Sequence, residues 1–206
     1  MKVLLCGYRD WALEAFAGLK EYAATHHDTQ FWSVSSPAQL SSAMETGGFD
    51  VAFVIGWSWK VVPEHLSAIP FVGMHPSDLP AYAGGSPIQN QVLDGLKTSK
   101  ATLFRFLPEM DAGPILAQRE FSLEGHLDEI LRRLSAASFI MFAELLDAWP
   151  DTVERPQMGP RDVRRRFKPE ASRLDKEQLQ RMSCRQLWDA IRCREDPYPN
   201  VFMEDN

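Results

Sequence analysis

Two residues of this chain stand where proton-transfer chemistry would need them. His75 lies in Gly73-Met74-His75-Pro76-Ser77-Asp78-Leu79-Pro80, and Asp111 lies in Pro108-Glu109-Met110-Asp111-Ala112-Gly113-Pro114. An apolar run over residues 70–75 reads as a strand that ends on the histidine and breaks into a proline-bounded loop. Asp111 reads as the tip of a tight turn between two strands. A strand end and a loop tip allow a rigid sheet to hold an imidazole and a carboxylate together. Imidazole titrates nearest neutral pH, which makes His75 the leading general acid or base of the chain. His26, His27, His65 and His126 fall at helix ends, helix starts or loops and read as surface residues. Asp111 taken alone is equally well read as ordinary Asp-Ala-Gly turn chemistry.

The elements that must position this pair follow from apolar periodicity. Strands are read over residues 2–8, 30–34, 49–55 and 70–75, the first and third as continuous apolar runs. Asp10 reads as the cap of a helix carrying Trp11, Leu13, Phe16, Leu19 and Tyr22 on one face. Pro37 opens a second helix that Gly47-Gly48 closes, and residues 63–68 form a helical turn. Strands and helices alternating at this spacing predict an α/β fold, a Rossmann-like, mostly parallel sheet with helices on both faces. Beyond it, Ser86 reads as the cap of a helix over 87–93. Residues 102–107 and 115–121 read as the strands flanking Asp111, and 128–149 as a long amphipathic helix. Residues 150–169 are polar and proline-bearing, a linker or an irregular strap. Residues 178–194 read as one last helix, ended by Pro197-Tyr198-Pro199. The expected division is a main domain over 1–150 and a small C-terminal extension over 151–206.

Composition narrows the function. The net charge is −6, which speaks against gripping a nucleic-acid backbone but leaves room for a small anionic substrate in a local basic pocket. Cys6, Cys184 and Cys193 have no metal or redox spacing, so no metal is expected, and the sparse set suggests a reducing compartment. The N-terminus does not read as a signal peptide and no apolar run reaches membrane length, so the expectation is a cytoplasmic protein with no membrane partner. Gly84-Gly85 lacks the lysine of a phosphate-binding loop, no GxGxxG comes after the first strand, and Ser77 has no nucleophile-elbow context. Trp57 and Trp59, after Gly56, read as core or as a stacking surface for a planar ligand. The basic run 161–168 is a solvated strap or a patch for an anionic ligand.

The motifs are more specific together than singly. His75 to Pro80 (His-Pro-Ser-x-Leu-Pro), Gly84-Gly85-Ser86-Pro87-Ile88-Gln89, Leu93-Asp94-Gly95 and Met110-Asp111-Ala112-Gly113-Pro114-Ile115-Leu116 resemble the 10-formyltetrahydrofolate-dependent formyltransferase family. That family includes glycinamide ribonucleotide, methionyl-tRNA and sugar-nucleotide N-formyltransferases. The resemblance covers residues 1–150. The segments Arg166-Phe167-Lys168-Pro169 and Pro197-Tyr198-Pro199-Asn200-Val201-Phe202 look like the stretch after the catalytic domain in the tRNA and sugar enzymes. Gly7-Tyr8-Arg9-Asp10-Trp11 and Gly56-Trp57 look like the sugar branch, and by this resemblance the C-terminal barrel of the tRNA branch is not expected.

By this resemblance 10-formyltetrahydrofolate is the co-substrate. The acceptor is the primary amine of a nucleotide-linked amino sugar, with an amino acid amine such as ornithine as an alternative. His75 would stabilise the tetrahedral intermediate and move protons, and Asp111 would orient His75. The resemblance places the folate between residues 59–62 (Trp59, Lys60, Val61, Val62) and the turn with Leu107, Pro108 and Met110. It places the acceptor near Tyr8, Arg9, Ser77, Tyr82 and Gly84, with Arg9 and Arg166 toward a phosphate. It also suggests a homodimer through the C-terminal part, where Leu187, Ile191 and Phe202 would serve an interface or cover the core. One departure stands out: the family's catalytic asparagine, two positions before the histidine, is Gly73 here. A water or an amide from Gln89 or Asn90 would then supply the oxyanion donor, or the protein is a formyl-folate hydrolase or folate-binding relative.

Overall fold

Strands at the centre of the molecule are apolar at successive positions because both of their faces are covered. The computed structural model describes residues 1–204. In chain order the elements are β1 (Lys2–Cys6), α1 (Asp10–His26), β2 (Gln30–Val34), α2 (Pro37–Thr46), β3 (Val51–Val54) and α3 (Pro63–Ala68). Then come β4 (Phe71–His75), β5 (Ala83–Gly84), α4 (Pro87–Leu93), β6 (Thr98–Arg105), β7 (Ile115–Ser122) and α5 (Leu127–Ala148). The C-terminal part holds β8 (Val163–Arg164), a 3-10 turn (Pro169–Ser172), α6 (Lys176–Arg181) and α7 (Cys184–Arg192).

The main sheet runs β2-β1-β3-β4-β6-β7. Its first four strands are parallel, and β6 and β7 join antiparallel. Alternate residues divide the core between two faces. Val3, Leu5, Phe53, Val72 and Met74 pack toward α1 and α5. Leu4, Cys6, Ala52, Val54 and Phe71 pack toward α2 and α3. The α/β expectation is met, with an antiparallel pair added at one edge. That pair sets the register of the site: His75 lies opposite Thr102, and Gly73 opposite Phe104.

Local differences from the sequence reading have physical causes. Asp10 is the first helical residue of α1, and Arg9 is the N-cap, with no side-chain bond. The buried face of α1 is made of Ala12, Ala15, Phe16, Leu19 and Ala23, whereas Leu13 is exposed. Small residues let α1 lie close against α5, which an apolar-only pattern does not show. Ser86 does not cap α4 with its side chain; its hydroxyl accepts from the Phe167 N–H at 3.0 Å. The last helix is two helices, because Ser183 and Gln186 form a new capping box after Met182.

The polar segment after α5 is a strap laid along the domain. Arg155 exchanges two backbone hydrogen bonds with Ile115 (2.7 and 2.8 Å), and β8 pairs in parallel with β5. Gly84 permits this approach: at φ +92° a Cβ there would lie 2.5 Å from the Arg164 carbonyl oxygen. Arg192, fully buried, pins the C-terminal helices. Its Nε donates to Asp189 at 2.6 Å, and Nη1 donates to the carbonyls of Leu123 and Gly125. Ile191 and Phe202 are exposed and Leu187 is half-buried. Among the described residues no helix is long and apolar enough to cross a membrane.

A candidate active site at the strand ends

β4 is buried along its whole length and delivers His75 at its C-terminal end. The imidazole is itself largely buried. Its Nε2 donates to the Tyr82 carbonyl at 2.8 Å, a role assigned from the partner, since a carbonyl can only accept. Nδ1 faces the Asp111 carboxylate, 3.7 Å from Oδ2. Asp111 sits at the tip of the β6–β7 turn in the left-handed region, φ +53°, which Asp tolerates better than most residues. Its Oδ2 accepts from the Gly84 N–H at 2.7 Å. A base and a carboxylate, both shielded from water, therefore meet where the sequence placed them.

The pair opens into a cavity of about 650 Å³, within the usual range for small-molecule sites. One wall comes from the segment after β3 and the turn after β6: Trp59, Lys60, Val61, Leu107, Pro108 and Met110 all line it. Val54, Leu66, Phe104 and Phe106 add apolar surface, and Trp57 stands T-shaped to Trp59 with centroids 5.0 Å apart. The Trp57 indole nitrogen is buried with no partner among the described residues. Such a slot suits a flat heteroaromatic ring with acceptors on its edge.

The guanidinium charge in the cavity lining comes from residues near the chain's two ends. Arg9 and Arg166 line the cavity with Gly84, Phe167 and Tyr198. The Arg9 guanidinium lies 5.0 Å from both the Tyr8 and Tyr198 ring centroids. Burial pushes the Tyr198 phenol above its ordinary range. Neither arginine has a carboxylate partner within 4.0 Å among the described residues. Two unneutralised guanidinium groups on a cavity wall make an anion-binding surface.

Four expected site residues stand elsewhere. Ser77 is fully buried, its hydroxyl donating to the Ala81 carbonyl at 2.6 Å, so it braces the loop after β4. Tyr82 sends its hydroxyl to Asp94 at 3.0 Å and lies under Arg164, which leaves only its carbonyl, on His75, for the site. Tyr8 packs behind Trp59, its hydroxyl 2.7 Å from that of Ser58. Val62 is the exposed N-cap of α3.

Gly73 marks the main departure, and Phe106 explains it. A Cβ built at residue 73 would lie 1.9 Å from Phe106 Cε1, so the phenyl ring fills the place of a side chain there. Of the two nearby amides, Asn90 is engaged: its Nδ2 donates to the carbonyls of Gly85 (3.0 Å) and Ser86 (2.9 Å). Gln89 lines the cavity, and its Nε2 is buried with no partner among the described residues. Sequence reading missed Phe106, Trp11, Phe167 and Tyr198 as lining residues. Phe106 could not have been found from local pattern, because its meeting with Gly73 depends on the antiparallel register of β6.

Known proteins share this fold. The profile described as formyl transferase matches residues 22–136, more than half of the chain. A methionyl-tRNA formyltransferase of Thermotoga sp. (strain RQ2) is 36% identical over 105 residues, covering 48% of this chain and 33% of that protein. The chain spans about a third to a half of the length of the curated relatives it matches. Among solved structures, methionyl-tRNA formyltransferase from Clostridium thermocellum superposes with a TM-score of 0.88 at 24% identity, covering 100% of this chain and 88% of that one. A sugar N-formyltransferase from Shewanella sp. gives 0.80 at 13% identity, covering 100% and 93%. HypX from Aquifex aeolicus in complex with tetrahydrofolic acid gives 0.79 at 17%, covering 99% and 36%. At such identities the superpositions speak for the fold, and it is the profile match over the sheet and the His75 loop that decides the relationship: the chain belongs to the formyl transferase family.

Proposed function

We propose that this protein transfers a formyl group from 10-formyltetrahydrofolate to the primary amine of a nucleotide-linked amino sugar. The observation that carries the reading is one cavity with three parts: an aromatic slot, the His75–Asp111 pair, and the unpaired Arg9 and Arg166. The slot residues fit the pterin of the folate, with Trp59, Lys60, Val61, Leu107, Pro108 and Met110 as its walls and the free Trp57 N–H as a donor. The folate supplies one electrophilic formyl carbon. The two arginines fit an acceptor carrying a diphosphate. The net charge of −6 favours such a small acceptor over a transfer RNA, the substrate that the curated relatives' names state.

The residues then take definite roles. With the Nε2 proton held by the Tyr82 carbonyl, the neutral imidazole has its lone pair on Nδ1. His75 accepts the amine's proton there as the new C–N bond forms, and returns it to the leaving nitrogen. The imidazolium so formed lies beside the Asp111 carboxylate, which the Gly84 N–H holds in place. Oxyanion stabilisation falls to the Gln89 amide, which has no other partner to give up and can rotate either end toward the cavity.

A second reading, hydrolysis of the formyl-folate, is favoured by the missing side chain at Gly73. Both are tested together by incubating the protein with 10-formyltetrahydrofolate and a panel of dTDP-, UDP- and GDP-linked amino sugars, following formylated sugar and free formate by mass spectrometry. Transfer predicts formylated sugar only when both substrates are present, and its loss in His75→Gln. Formate release at the same rate whatever amine is added sinks the transfer reading. Turnover of ornithine without competition from free nucleoside diphosphates sinks the sugar reading alone.

A further inference from the structure

We infer that Gln157, on the strap outside the main sheet, is a positioning residue for Asp111, and that the strap is thereby part of the catalytic apparatus. This rests on the reading of Asp111 as the carboxylate partner of His75.

Asp111 occupies a left-handed conformation at an exposed turn, which costs energy and persists only where surrounding contacts enforce it. Met110, its neighbour, is 64% exposed, so apolar packing does not fix the turn. Gln157 does. Its Nε2 donates to the Asp111 carbonyl at 2.8 Å and to the Gly113 carbonyl at 2.8 Å. One amide thus ties both ends of the three-residue segment that carries the carboxylate. Arg161 adds bonds to the Glu109 carboxylate and the Met110 carbonyl. Its carboxylate partner is largely exposed, and such pairs contribute little. The Gln157 bonds are half-buried and join neutral groups, so they persist in salt.

The strap reaches the same carboxylate a second way. Asp111 Oδ2 is held by the Gly84 N–H, and Gly84 belongs to β5, the strand with which β8 of the strap pairs. The next amide, Gly85 N–H, donates to the Arg164 carbonyl at 2.8 Å. Backbone and side chain of Asp111 are therefore both fixed by residues 157–164, although none of these hydrogen-bonds to His75.

The test is a double-mutant cycle on the full chain, with 10-formyltetrahydrofolate and the amino sugar selected by the panel above. Gln157→Met keeps the length and removes the donor; Gln157→Glu keeps the length and replaces the donor by an acceptor. Each is expected to lower kcat about 10- to 100-fold, the loss that a displacement of about 1 Å produces, while KM for both substrates is unchanged. In the Asp111→Asn background, Gln157→Met is expected to cost nothing further, because the group it positions is already disabled. Wild-type kcat in both Gln157 variants overturns the proposal. So does a double variant whose loss is the product of the two single losses, since that places Gln157 in general stability. Wild-type turnover by Asp111→Asn overturns the reading of Asp111 itself, and the proposal with it.

Discussion

Placing an asparagine at residue 73 is the sharpest perturbation this site allows. The Cβ alone would lie 1.9 Å from Phe106 Cε1, 2.7 Å from Cζ and 2.9 Å from Cδ1, so the ring must leave before any side chain can enter. Phe106 is half-buried and packs on Phe104 with centroids 5.1 Å apart. Displacing it forfeits about half of the 1.5–3 kcal/mol that a buried phenylalanine contributes. It also forfeits an aromatic contact of about 0.5–1.5 kcal/mol. The expected cost of Gly73→Asn is therefore about 1–3 kcal/mol, or about 2–12 °C in Tm for a chain of this size. Phe106→Ala removes the obstruction, so in that background Gly73→Asn should cost less than it does alone. Thermal unfolding of the four proteins measures the cycle, and the transfer assay run beside it should show no gain for Gly73→Asn alone. A Gly73→Asn protein with wild-type Tm and faster transfer would refute the argument, because the ring would not then be standing where the side chain goes.

Four further outcomes are expected. Gln89→Leu should lower kcat by about 100- to 1,000-fold with little change in KM, the signature of a lost oxyanion donor; unchanged kcat would remove Gln89 from the mechanism. Arg166→Ala should raise KM for a diphosphate-bearing acceptor by about 10- to 100-fold, as loss of a charge-assisted bond does, while leaving folate binding by titration calorimetry unchanged. Asp189→Ala would leave the fully buried Arg192 without its carboxylate, a loss of about 3–5 kcal/mol that urea unfolding would register. The thiols of Cys6 and Cys193 are pushed by burial to about 12 and about 11, from an ordinary 9.0. Raised values mean the folded state holds these protons more tightly, so their contribution is full below pH 9.0 and is lost as pH rises toward about 12. Iodoacetamide at pH 8 should accordingly modify Cys184 alone in the folded protein and all three cysteines after unfolding.

The sequence disclosed the frame of this molecule better than its contacts. The strands read at 49–55 and 70–75, observed as Val51–Val54 and Phe71–His75, and the turn at Asp111 were legible because apolar runs and proline or glycine punctuation are local signals. The same holds for the proximity of His75 and Asp111, once a strand end and an adjacent turn are recognised. Ser77 and Tyr82 were misjudged because motif proximity does not say which way a side chain turns: Ser77 spends its hydroxyl on the loop that presents the Tyr82 carbonyl to His75, and Tyr82 sends its own to Asp94 at the end of α4. Phe106 and Gln157 were invisible for a different reason. Their partners, Gly73 and Asp111, lie far away in the chain, and only the β4–β6 register and the course of the strap bring them together. A split at Met182 was readable in principle from Ser183-Cys184-Arg185-Gln186, a capping pattern inside an otherwise helical run.

The aromatic slot and the arginine-bearing part of the cavity have separate origins in the sequence. The slot and the His75–Asp111 pair come from residues 54–111, whereas Arg166, Phe167 and Tyr198 arrive from the C-terminal part, with Arg9 from the other end. On the proposed function, a lineage can exchange one acceptor for another by substitutions at 166–199, without disturbing the slot or the His75–Asp111 pair. The limit on that freedom is the strap itself: Gln157 and β8 lie in the chain between Asp111 and Arg166 and hold the Asp111 turn and β5, so the segment that is free to change begins only after them.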